Sequence, residues 1–237
     1  MTMRVLVTRP QPDGGRTAKR LAELGHEVIL DPLLTIESLP IGQLPAGPFA
    51  ALAATSANAV RAFTATAELE PLRKIPLYAV GTHTADAART AGFERVVVAN
   101  GDAASLAQML SARLTPGSRV LHLAGEDRSR DLAALKSGAG IAVEVLVLYR
   151  ARPSAALAPA TVDALSQDRL NAVLHFSPRS AATFVTLVGR HGLAESAGRP
   201  RHLCLSQAVA QELAPLGISA EYAARPTEAE LVALLGR

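Results

Sequence analysis

The chain is written twice. The stretch RVLVTRPQPDGGRTAKRLAELGHEVILDPLL from Arg4 aligns with RVLHLAGEDRSRDLAALKSGAGIAVEVLVLY from Arg119, at an offset of about 115 residues. The correspondence continues with LAATSANAVRAF from Leu52 against VLHFSPRSAATF from Val173, and AVGTHTADAARTAGF from Ala79 against CLSQAVAQELAPLGI from Cys204. The final helical stretches match as well, SLAQMLSARL from Ser105 with AELVALLGR from Ala229. A duplication of this kind predicts two similar lobes with a cleft between them.

Within each copy, short apolar runs alternate with amphipathic ones. Val5–Thr8 reads as a buried strand, DGGRTAKRLAELG as a helix ending at Gly25, and HEVILDPLL as the second strand. The Pro- and Gly-bearing stretch SLPIGQLPAGPFA from Ser38 reads as a crossing linker. The strands AALAAT, LYAV and RVVVAN then precede helices over 56–63, 81–91 and 104–114. In the second copy the strand RVLHLA precedes a helix over 129–135 and the strand AVEVLVLY. RARPSAALAPATVDAL, from Arg150, reads as a second linker, and AVLHF and HLCL lead into helices near Ser177 and Ser206. Strands alternating with helices across short turns predict an α/β fold: two doubly wound, flavodoxin-like lobes with parallel sheets of five strands each. Because each copy breaks after its second strand, the expected lobes are not the sequence halves. One comprises residues 1–37 plus 150–237 and the other 38–149, joined by a two-strand linker.

The totals narrow the functions. Apolar residues make up 49% of the 237 and charged residues 19%, the balance of a folded globular protein. No apolar run is long enough to cross a bilayer and the N-terminus lacks the layout of a signal peptide, so the expected location is the cytoplasm, away from membranes. The lone Cys204 lies in an apolar run and reads as a buried small hydrophobe. Of the 24 basic residues, 21 are Arg and 3 are Lys. That bias reflects either bidentate grips on carboxylate or phosphate, or the composition of the genome. The Arg residues are scattered and Trp is absent, which argues against nucleic acid. There is no P-loop and no G-x-G-x-x-G after the first strand, which leaves nucleotide cofactors without support. The six His include no pair at metal-ligand helical spacing, and neither Ser56 nor Ser177 sits in a nucleophile elbow. No metal or other cofactor is expected.

Small hydroxyl or glycine residues stand where strands give way to helices: Thr8 with Arg9, Thr55 with Ser56, Gly81 with Thr82, Gly125, Ser177 and Ser206. In open parallel sheets ligands gather at this edge, and helix N-termini there offer N–H groups and a partial positive charge to an anion. Each such residue also serves as an ordinary helix cap. Tyr149, at the end of VEVLVL, reads either as a packed ring with a wet hydroxyl or as a proton donor, a phenol being protonated at neutral pH.

With these residues in view, the chain resembles the uroporphyrinogen-III synthase family over nearly its whole length. The likeness rests on VLVTRP at the start, TSANAV from Thr55, AVGTHTA from Ala79, AGEDRSRD from Ala124, VEVLVLYRA from Val143, FSPRSA from Phe176 and CLSQAVA from Cys204. It implies two α/β lobes, one assembled from both chain ends, and cofactor-free conversion of hydroxymethylbilane to uroporphyrinogen III with loss of water and inversion of the last pyrrole ring. By that resemblance Tyr149 assists departure of the hydroxyl. The backbone after Thr8, Ser56, Gly81, Thr82, Gly125, Ser177 and Ser206 holds the acetate and propionate arms, and Arg9, Arg128, Arg130 and Arg179 are further anion contacts. The expected partners are the linear tetrapyrrole and the upstream enzyme that makes it, acting on a monomer. Two other readings remain: a non-catalytic two-lobe sensor of a small anion, and a nucleotide-binding regulator.

Overall fold

In a computed structural model of the chain, residues 2–127 and 140–236 are described. From the amino end come β1 (Arg4–Val7), α1 (Asp13–Glu23), β2 (Glu27–Leu30) and β3 (Leu34–Ser38). They are followed by β4 (Ala51–Ala54), α2 (Ala57–Thr64), β5 (Leu77–Ala79), α3 (Thr82–Thr90), β6 (Val96–Val98) and α4 (Ala103–Arg113), with a 3-10 segment at Ala67–Lys74. Then come β7 (Arg119–Gly125), β8 (Ala142–Pro153), α5 (Pro159–Ser166), β9 (Ala172–His175), α6 (Pro178–Arg190) and α7 (Ala194–Ala197). The chain finishes with β10 (Arg201–Cys204), α8 (Gln207–Gln211), β11 (Glu221–Tyr222) and α9 (Glu228–Ala233). The helix expected over 129–135 lies outside the described residues, as do Arg128 and Arg130.

The chain divides into two compact units, Met1–Thr35 with Arg152–Arg237, and Ile36–Ala151. Among the described residues the first unit holds a five-stranded sheet in the order β11-β10-β9-β1-β2, all four pairings parallel. The second holds a sheet in the order β3-β8-β7-β4-β5-β6, in which β8-β7-β4-β5-β6 are parallel neighbours. Read from one edge, β2-β1-β9-β10-β11 and β8-β7-β4-β5-β6 trace the same path. Each five-strand path takes two strands from one sequence copy and three from the other.

The central strands β1, β4 and β9 are almost wholly apolar and buried because both faces are covered. In β1, Leu6 enters one core cluster while Val5 and Val7 enter another, all three fully buried. In β4, Leu52 and Ala54 pack with α2 and α3, whereas Ala51 and Ala53 pack with Leu106 and Leu110 of α4. Gly25, at φ +85°, ends α1 in the left-handed conformation that a side chain disfavours.

Three expectations are corrected. The second sheet has six strands, because β3 adds beside β8. HEVILDPLL is two strands, β2 and β3, in different sheets, and Asp31–Leu33 between them is tied to the later chain. The stretch read as the second linker holds the end of β8 and the helix α5. That helix starts without a cap of its own: Ala158 at its N-cap offers no side-chain hydrogen bond. The buried Asp31 carboxylate supplies one from far away in sequence, accepting from Ala158 N–H at 2.9 Å and from the Thr161 hydroxyl at 2.7 Å. The Ser154 hydroxyl adds a bond to the Pro32 carbonyl at 2.9 Å. Asp31→Ala strands a fully buried Thr161 hydroxyl and a helix-end N–H, so a loss of about 2–3 kcal/mol in denaturant unfolding is expected. A loss below about 0.5 kcal/mol would mean that α5 is held by its apolar face alone.

The lone thiol is a core group. Cys204 is fully buried, and burial pushes its pKa up to about 12, so it stays protonated. On the same sheet the buried rings of His175 (β9) and His202 (β10) lie nearly parallel, with centroids 5.3 Å apart. His202 Nε2 lies 2.7 Å from the Ala197 carbonyl, which only accepts, so this nitrogen carries the proton. His202 Nδ1 then accepts from His175 Nε2 at 3.0 Å. Burial lowers both pKa values, His202 to about 4 and His175 well below its usual range.

Candidate functional site

A parallel sheet brings the carboxyl ends of its strands to one edge, where the turns into the helices collect. In the second unit that edge carries the turn after β4, the turn after β5, the end of β7 and the outgoing part of β8. Ala54 pairs in register with Leu123, so Ser56 and Gly125, each two residues further on, stand level with one another. Ser56 caps α2, its hydroxyl accepting from Asn58 N–H at 3.1 Å. Thr55 Oγ1 lies 3.2 Å from Nε2 of the buried His122 on β7. Gly81 precedes α3 in extended backbone (φ −165°, ψ 178°), and with no side chain it leaves that helix start without a cap; Thr82 follows, exposed.

The corresponding edge of the first unit carries Thr8, Arg9, Ser177, Arg179 and Ser206. Thr8 is fully buried and its hydroxyl is spent on the Leu174 carbonyl at 2.9 Å, so only its backbone faces the turn. Arg9 has an internal task. Its Nη1 lies 2.7 Å from Glu228 Oε2 and 3.3 Å from Thr17 Oγ1, and its Nη2 lies 3.6 Å from Asp13. Its guanidinium stands 4.6 Å over the Phe176 ring, with the side chain 12% exposed. This cluster ties β1, α1 and α9 together. Ser177 caps α6, accepting from Ser180 N–H at 3.2 Å. Arg179 is half-buried in the first turn of α6. Ser206 precedes α8 without a side-chain cap bond, but α8 has five residues and therefore a short dipole.

The helix starts repeat a pattern in both units. The helix after the third strand of each path is capped by a serine, Ser56 for α2 and Ser177 for α6. The helix after the fourth has no side-chain cap, α3 behind Gly81 and α8 behind Ser206. The last is closed by acidic groups: Asp102 accepts from Ser105 N–H at 2.7 Å at α4, while Thr227 caps α9 and Glu228 and Glu230 fill its first turn. Among the described residues, α4 and α9 thus begin at acidic groups, whereas α3, the longer of those two helices without a side-chain cap bond, does not. Sequence reasoning missed these two closed starts, although Thr227-x-x-Glu230 is a readable capping box and Gly101-Asp102 a readable N-cap.

Tyr149 belongs to the same edge of the second unit. It is half-buried on β8, packed against the core cluster that contains α2 and α3, and it pairs in register with Gly125. Its ring lies directly over Gly125: a Cβ added there would meet Cζ at 2.7 Å and the phenol oxygen at 3.0 Å. Gly125 is thus the buried floor beneath the phenol, a role that its place in a strand-to-helix turn did not disclose. Arg150, next along β8, pairs with Glu37 of β3 at 2.9 Å. The structure therefore brings Ser56, Gly81, Thr82, Gly125 and Tyr149 to one edge, and Thr8, Arg9, Ser177, Arg179 and Ser206 to the corresponding edge of the other unit.

The family profile of uroporphyrinogen-III synthase HemD matches residues 15–233. The fold is similar to that of the uroporphyrinogen-III synthetase of Helicobacter pylori, with a TM-score of 0.67 at 20% identity over 99% of this chain and 98% of that one. It is also similar to a mutant uroporphyrinogen III synthase of Thermus thermophilus, with a TM-score of 0.60 at 19% identity over 99% and 97% of the two chains. No curated protein sequence matches.

Proposed function

The chain belongs to the uroporphyrinogen-III synthase family, and from that premise we propose how its residues carry out the reaction. The enzyme is a lyase of tetrapyrrole biosynthesis, closing hydroxymethylbilane to uroporphyrinogen III with loss of water and inversion of the last ring. The observation that carries the residue assignment is the Tyr149 phenol lying over Gly125 at the carboxyl edge of the second sheet. There the phenol donates its proton to the terminal hydroxyl as the carbon–oxygen bond breaks with its electron pair passing to oxygen, so that water leaves. The resulting cation is attacked by the far pyrrole through its substituted carbon, and the spiro intermediate fragments and recloses. The proton released when the last pyrrole regains aromaticity balances the one Tyr149 gave up.

The carboxylate arms are held by backbone N–H groups at the helix starts. In the second unit the start of α3 at Thr82, behind Gly81, is the strongest of these, with the turns at Ser56 and Gly125; in the first unit the turns at Thr8, Ser177 and Ser206 and the side chain of Arg179 serve. Arg9 is left to its ion pairs. Arg128 and Arg130 stay in this proposal as anion contacts on the grounds of the family motif. The larger task of the protein is conformational, because the chain must be held folded for attack at the substituted carbon against simple end-to-end closure. Among the described residues no helix is long and apolar enough to cross a membrane. We place the enzyme in the cytoplasm as a monomer that takes its substrate from the enzyme that makes it.

The test is to incubate the purified protein with hydroxymethylbilane, oxidise the products and resolve the isomers. Type III in excess is the expected result. Type I alone, the product of spontaneous closure, would favour the non-catalytic anion sensor.

A further inference from the structure

We infer that Gly125, together with a one-residue irregularity in the pairing of β7 with β8, is a positioning device for the Tyr149 phenol. The inference rests on the reading of Tyr149 as proton donor and adds to it the residue that sets where the donor points. Along β8, Leu146 and Leu148 enter the core cluster on the α2 and α3 side of the sheet, and strict alternation would turn Tyr149 to the opposite face. The register breaks at this point. Ala124 pairs with Val147 but Gly125 pairs with Tyr149, so Leu148 is an extra residue on β8. An extra residue shifts the alternation by one and re-aims the side chain that follows it. Tyr149 accordingly packs against the same cluster as Leu146 and Leu148.

Having been turned to that face, the ring needs space that only a glycine leaves. A methyl group at 125 would stand 2.7 Å from Cζ, 3.0 Å from the phenol oxygen and 3.1 Å from Cε1. The three clashing atoms all belong to the reactive end of one side chain. The backbone beyond the irregularity is fixed, because Glu126 N–H donates to the Tyr149 carbonyl at 2.8 Å. Gly125 is at the same time the last residue of β7, buried, and the one position of that strand without a side chain. The absence of a side chain at 125 thus defines the seat of the hydroxyl, and a methyl group there displaces the phenol rather than the strand.

The test is a double-variant cycle of Gly125→Ala and Tyr149→Phe, following kcat, KM and thermal unfolding. Gly125→Ala alone is expected to lower kcat about 10- to 100-fold, as an ångström-scale misplacement does, with KM changed less than about twofold. In the Tyr149→Phe background, which keeps the ring but has no hydroxyl to misplace, the same substitution should change kcat less than about twofold. An equal factor in both backgrounds would overturn the positioning role, since a merely structural defect acts with or without the hydroxyl. If Tyr149→Phe is slow and Gly125→Ala is not, the positioning role fails while Tyr149 keeps its own. If Tyr149→Phe turns over like the parent, the reading of Tyr149 fails first. Should Gly125→Ala not fold, Gly125→Ala with Tyr149→Leu removes the ring. Recovered folding then supports the seat, and persistent unfolding overturns it, because the backbone and not the ring would require glycine.

Discussion

Tyr149→Phe is expected to lower kcat about 100-fold, the scale of a lost general acid, while leaving the fold intact. The substitution removes one oxygen. The phenylalanine ring keeps the packing over Gly125 and against the α2 and α3 side of the core, and the backbone bond from Glu126 N–H is untouched. In the proposed role the hydroxyl acts when the carbon–oxygen bond breaks and not when the arms bind, so KM should change little. The isomer ratio gives a second reading. A slowed enzyme releases more unconverted hydroxymethylbilane to spontaneous closure, so the share of type I should rise at fixed enzyme concentration. Unchanged turnover would assign Tyr149 to packing and leave catalysis to the helix-start turns.

Stability should fall as the pH drops from 6.5 towards 4, well before most carboxylates are protonated. His202 is lowered from 6.5 to about 4 mainly by burial, and His175 is lowered well below 6.5 by burial and by its neighbour His202. In the unfolded chain both take up protons near pH 6.5, whereas the folded protein resists. The unfolded state therefore binds more protons across this window, and the stability present above pH 6.5 is lost on acidification. For His202 alone the difference is worth about 3 kcal/mol. The cause is structural: the Nδ1 of His175 is buried without a hydrogen-bond partner among the described residues, and Phe184 packs edge-on against both rings at 5.2 and 5.6 Å. Denaturant unfolding between pH 7 and 4 should show a slope of more than one proton, flattened in His175→Leu/His202→Leu. A flat profile in the parent, or the same slope in the double variant, would move the acid sensitivity elsewhere.

Much of the architecture was legible because buried parallel strands and amphipathic helices leave different periodicities. The alternation marked α1 to its closing Gly25, the strands β4, β5, β9 and β10, and the serines that cap α2 and α6. HEVILDPLL misled because an apolar run carries no sign of which sheet its ends will join. Pro32 lies within it, but Asp31 makes the break by accepting from Ala158 and Thr161 more than a hundred residues away. The same long-range cap explains why α5, preceded by an alanine, read as linker. Arg9 read as an anion contact from its place after β1, and its pairing with Glu228 could not be seen because nothing in the local sequence joins β1 to α9.

By itself the sequence determined that the chain is an α/β protein with parallel strands and with small hydroxyl or glycine residues at its helix starts, since periodicity, glycine and hydroxyl placement are local properties of the backbone. It also placed Tyr149 at the end of a strand, where the aligned position of the first copy is Leu34, and left its ring open between packing and proton donation. Tertiary structure alone decided which helix starts stay open, through Asp102 and Glu228, and which face of the sheet Tyr149 occupies. Strand alternation is fixed by the chain, but register is fixed by the partner strand. One extra residue opposite Gly125 reverses the direction that alternation by itself assigns to the phenol.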